Sequence, residues 1–110
     1  MARLSPRHWQ MLAWAGWASI TWLSLTPVPP QPFTFNGVDK LEHAGAYLLV
    51  ASCFLHAYPR ARWPVALGLI AWGIVIEFLQ GWSGYRYRDV WDMLANSSGV
   101  LLACWWARRT

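Results

Sequence analysis

The chain has 110 residues, of which 13% are charged and 56% hydrophobic, with ten tryptophans and a formal charge of +4. The charged share is about half the roughly 25% of ordinary soluble domains, and the length holds one domain, residues 1–110, and not two. Nucleic-acid binding is set aside, because the nine lysines and arginines stand in ones and twos between apolar runs and build no basic face.

The N-terminal run MARLSPRHWQMLAWAGWASI has a basic head and an apolar body. Its apolar part continues to about Leu25, longer than the core of a cleaved signal peptide. The expectation is a retained signal-anchor helix over about 8–26. TPVPPQPFTFNGV then breaks the helix, because proline lacks the N–H that a helix interior requires. A second span is expected over about 40–58, opening on DKLEHAGAY. YPRARWP is a tight basic turn, and Pro64 suits the first turn of a third span over about 63–82. GWSGYRYRD is a loop before a fourth span over about 90–107. Each span approaches the roughly 20 residues that cross a bilayer, so the predicted fold is all-α, a four-helix transmembrane bundle. Cys53 and Cys104 lie inside apolar runs with no metal-ligand spacing and read as small apolar residues.

Positive charge sets the orientation. Arg3, Arg7, Arg60, Arg62, Arg108 and Arg109 fall on one side of these spans, and Lys40, Arg86 and Arg88 on the other, partly offset by Asp39, Glu42 and Asp89. Both termini are therefore expected in the cytoplasm, with the protein a multi-pass component of a bacterial cytoplasmic (inner) membrane. Trp9, Trp63, Trp105 and Trp106 would mark the inner interface, and Trp22, Trp82 and Trp91 the outer one.

That orientation places the intramembrane polar residues at one level, under the outer surface. Asp39, Lys40 and His43 begin the second helix, with Tyr47 one turn beyond His43. Glu77 and Gln80 end the third helix, and Asp92 and Asn96 begin the fourth. Spacings of three and four put each set on one helix face, and Arg86 lies in the loop between. Ala46, Ser98 and Gly99 are small enough to let backbones approach there. A carboxylate costs up to about 2.5–3.5 kcal/mol at a helix centre in the membrane. Glu77 and Asp92 beside a histidine are thus more than interhelical hydrogen bonding requires. His8 and His56 read as interface residues.

At these residues the sequence resembles the VanZ-like family, small multi-span membrane proteins named for a teicoplanin-resistance protein. The resemblance rests on Asp39, Lys40, His43 and Tyr47, then Glu77 and Gln80, then Arg86, and then Asp92, Asn96 and Gly99. The chain departs from the pattern after Gln80, where the loop is short and lacks a Pro-Gly before the arginine. The resemblance implies a bacterial membrane protein with a role in the cell envelope, linked in some members to glycopeptide (teicoplanin-type) resistance. It implies no settled reaction.

The leading functional expectation is a polar pocket at the outer leaflet that binds or handles an anionic lipid or a lipid-linked envelope precursor. Arg86 and Lys40 would hold phosphate, the arginine by a bidentate fork. Asp39, Glu77 and Asp92 would fix those cations or accept hydrogen bonds from sugar or amine groups, with Tyr47, Gln80 and Asn96 alongside. The alternative is an intramembrane lipid-phosphate hydrolase or transferase in which His43 works with Glu77 or Asp92 as acid and base; no nucleophile motif accompanies them. A third class is an accessory subunit of a membrane complex, with a protein partner that the sequence does not name. Nothing in the sequence calls for a cofactor. A metal held by His43, Glu77 and Asp92 is chemically conceivable, but no spacing fixes its geometry.

Overall fold

The computed structural model describes residues 5–25, 38–83 and 90–108. They form four α-helices, α1 (Pro6–Leu25), α2 (Val38–Ala57), α3 (Arg62–Ser83) and α4 (Val90–Arg108), with no strand among the described residues. Every boundary lies within two residues of its sequence expectation.

Local chemistry explains where the helices start and stop. Ser5 caps α1: its Oγ accepts from the backbone N–H of His8 at 3.3 Å, and Pro6 takes the first helical position, where its missing N–H is no loss. This cap sets α1 two residues earlier than apolar periodicity alone would. α2 stops before Pro59, and the Ala61 N–H closes the turn onto the Tyr58 carbonyl at 3.0 Å. Pro64 sits in the first turn of α3.

The helices run alternately up and down. Trp9 of α1 stacks on His56 of α2, and a Cβ on Gly16 would lie 3.1 Å from Val50, so α1 and α2 are antiparallel. Thr21 and Ser24 of α1 meet Trp72 and Gln80 of α3, which makes those two parallel. α2 and α4 form the most extensive interface; α1 leans on α2, α3 leans on α4, and α1 and α3 touch only lightly.

The α2–α4 crossing is close because Gly99 has no side chain. A Cβ there would collide with the carbonyl oxygen of Ala44 and stand 3.1 Å from the backbone nitrogen of Leu48. The small residues at the crossing are thus Gly99 and Ala44. Ser98 instead faces outward and bonds its own helix at Leu94 O, 2.7 Å.

By length and apolarity, one helix among the described residues, Arg62–Trp82, qualifies on its own as a membrane span; α4 carries a shorter apolar stretch, Met93–Ala107. The polar start of α2 holds that helix below the same threshold.

The packing predicts an asymmetry between glycines. Gly99→Ala forces overpacking against backbone, which typically costs about 1–3 kcal/mol. Thermal unfolding in detergent should show a clear drop in its midpoint. Gly45→Ala, where a Cβ meets nothing within 4 Å, should show none.

Candidate functional site

Tyr47, Glu77, Gln80 and Asn96 are all buried, and they come from three different helices. Glu77 is 0% exposed and Asn96 2%, so two of the largest fully enclosed side chains in the bundle are polar. Glu77 lies six residues inside the end of α3, and Asn96 six residues inside the start of α4. At 1.5 Å per residue each is roughly 9 Å from its helix end, close to two turns deep.

Gly73 is where the cluster closes. A Cβ at Gly73 would stand 3.3 Å from Asn96 Nδ2 and 3.5 Å from the Tyr47 hydroxyl. The absence of a side chain there lets an amide and a phenol meet over the backbone of α3. Glu77 follows Gly73 by one turn and lies within electrostatic reach of Tyr47. Asn96 Oδ1 is buried and has no hydrogen-bond partner among the described residues. A buried polar atom in that state costs about 1–3 kcal/mol.

Gln80 sits one turn nearer the helix end and reaches sideways. Its Nε2 donates to the Ser24 carbonyl at 2.7 Å. Below it, Trp72 Nε1 donates to Thr21 Oγ1 at 2.9 Å. The first helix therefore does more than support the bundle: its last turn is hydrogen-bonded to the wall of the cluster.

His43 is half-buried, one turn from Tyr47 toward the start of α2, and Glu42 is exposed. The side chains of Asp39, Lys40 and Asp92, and all of Arg86, lie outside the described residues, although α2 and α4 carry positions 39, 40 and 92 at the same end of the bundle. Cys53 and Cys104 are free thiols in the opposite half. No group of three His, Cys, Asp or Glu side chains gathers at metal-binding separation among the described residues.

Of the residues singled out in the sequence, the structure thus brings Tyr47, Glu77 and Asn96 together, with Gln80 and His43 flanking them. Sequence reasoning missed Gly73, Thr21 and Ser24. Gly73 had a usable signal, since it stands four residues before Glu77 on the same helix face. Ser24 had none, because it takes part through its carbonyl, which every residue possesses.

No family model matches the chain, and neither a curated protein nor a solved structure does.

The Gln80 contact predicts that Gln80→Leu removes a net hydrogen-bond contribution of about 1 kcal/mol. The unfolding midpoint in detergent should fall modestly, and the last turn of α1 should gain hydrogen exchange before any other helix.

Proposed function

We propose that the chain is a multi-pass protein of the bacterial cytoplasmic membrane, VanZ-like in character. In this reading the Tyr47–Glu77–Asn96 cluster is the floor of a binding site for an anionic lipid or a lipid-linked envelope precursor at the outer leaflet. The observation that carries the reading is the enclosed polar cluster, in which Asn96 Oδ1 is buried with no hydrogen-bond partner among the described residues. A bundle that only needed to pack would fill this space with apolar side chains at lower cost. An acceptor carbonyl buried in the same cluster as a carboxylate suits a ligand that brings donors, such as the hydroxyl or amine groups of a headgroup.

The distribution of polarity supports the membrane setting. Outside, the bundle presents Leu23, Leu41, Leu49, Leu67 and Leu101, each more than half exposed. Inside, it encloses Glu77, Gln80 and Asn96. Large exposed apolar surface of this kind marks contact with lipid or protein. Trp22, Trp82 and Trp91 are exposed near one end of the bundle, and Trp63, Trp105 and Trp106 near the other, as interfacial belts would be. The arginine count then assigns the cluster end to the outside. By sequence, Lys40 and Arg86 carry the charge suited to phosphate, and Asp39 and Asp92 the opposite charge to orient them.

Binding is favoured over catalysis because both thiols, Cys53 and Cys104, lie in the half away from the cluster. The test is binding of a polyprenyl phosphate and of phosphatidylglycerol to the purified protein, in parallel with thermal unfolding. Glu77→Gln, Asn96→Leu and the pair Lys40→Gln with Arg86→Gln should each weaken binding about tenfold, or about 1.4 kcal/mol. The Glu77 and Asn96 variants should keep or raise the unfolding midpoint, since binding sites commonly sacrifice stability. Unchanged binding with sharply lowered midpoints would make the cluster a structural network instead. Turnover of the phosphoester that disappears in His43→Ala would turn the site into a catalytic one.

A further inference from the structure

The light contact between α1 and α3 leaves a groove of 370 Å³ in the half of the bundle away from the polar cluster. Trp14 and Trp17 form one wall, Phe54 and Tyr58 the floor, and Val65 and Trp72 the other wall. The rings brace one another. Trp14 meets Phe54 edge-on at 5.0 Å and Trp17 edge-on at 5.9 Å, and Trp17 lies 5.3 Å from Trp72. The polar edges of Trp14 and Trp72 are already engaged. Trp14 Nε1 donates to the Tyr58 hydroxyl at 3.0 Å, and Trp72 Nε1 donates to Thr21.

Gly68 keeps the groove open. It is exposed, it lines the groove, and a Cβ added there would meet nothing within 4 Å. Glycine in mid-helix is unfavourable relative to almost any other residue. At Gly73 and Gly99 the cost has a packing return; at Gly68, as at Gly45, no neighbouring helix uses the space, and of these two Gly68 lines the groove.

We infer that this groove holds one acyl chain of an anionic phospholipid from the inner leaflet. The inference rests on the membrane setting proposed above but not on the ligand of the polar cluster. Size suits the occupant: 370 Å³ has room for roughly a dozen methylene-sized groups at about 30 Å³ each, whereas a helix about 10 Å across does not fit. Charge selects the headgroup. Ala61 lines the groove at the α2–α3 turn, and its neighbour Arg60 is exposed there; Arg7 is exposed on the first turn of α1 at the same end of the bundle. An arginine at such a level favours an anionic headgroup over a zwitterionic one.

The experiment is native mass spectrometry of the delipidated full chain in detergent, titrated with phosphatidylglycerol or phosphatidylcholine. The parent should retain one phosphatidylglycerol in preference to phosphatidylcholine. Gly68→Leu fills the groove, improves the helix, and should lose that lipid without lowering the unfolding midpoint. Arg60→Gln, a change on an exposed turn, should still hold one lipid while its headgroup preference falls about fivefold, the factor one arginine supplies at an anionic surface. Undiminished phosphatidylglycerol binding by Gly68→Leu overturns the inference, as does an unaltered preference in Arg60→Gln. A second copy or another protein retained in the groove in place of lipid also overturns it. Release of the parent from membranes by alkaline carbonate would instead remove the membrane setting itself. Loss of polyprenyl phosphate binding in Glu77→Gln leaves the groove untouched, so the two sites fail separately.

Discussion

The contact of Gly99 with the carbonyl of Ala44 governs this bundle. Two helices can approach to backbone contact only where one of them lacks a side chain, and here that approach joins α2 to α4 in the largest interface of the molecule. Tyr47 lies one turn after Ala44 on α2 and Asn96 one turn before Gly99 on α4, so both stand close to this crossing. α3 then meets both of them with Gly73, the position that leaves room for an amide and a phenol together. The polar cluster is thus a consequence of two glycines in adjacent helices and not of the polar residues alone.

That arrangement leaves α1 and α3 as outer elements, each leaning on a different member of the central pair. They are tied at one end by Gln80 to Ser24 and by Trp72 to Thr21. Toward the other end they part, and tryptophans line the opening. One half of the bundle is therefore closed and polar inside, and the other is open at the side and apolar.

Among the described residues the buried core is apolar apart from Glu77, Gln80 and Asn96, and much of the exterior is apolar as well. Aliphatic side chains and tryptophans point outward, and the core is built from Ala13, Ala51, Ala66, Val100 and Ala103 around a few larger groups. Small core residues bring helices close, and dispersion is gained over that short distance. Within such a core an enclosed carboxylate is costly, and Glu77 is held in place by the whole bundle around it.

Helix number, order and boundaries were legible in the residues because they depend on local chemistry. Pro59 ends a helix and Pro64 begins the next, whatever packs against them, whereas the Ser5–Pro6 cap starts α1 two residues ahead of its expectation. The common level of Glu77, Gln80 and Asn96 was also legible, since helical spacing and alternating direction place them without any knowledge of contacts. Their union with Tyr47 over Gly73, the tie from Gln80 to a backbone carbonyl in α1, and the groove at Gly68 were decided only by the tertiary structure. Each depends on how deeply two helices cross and on which pair stays apart. A glycine reads the same in sequence whether a neighbour fills its space, as at Gly99, or nothing does, as at Gly68.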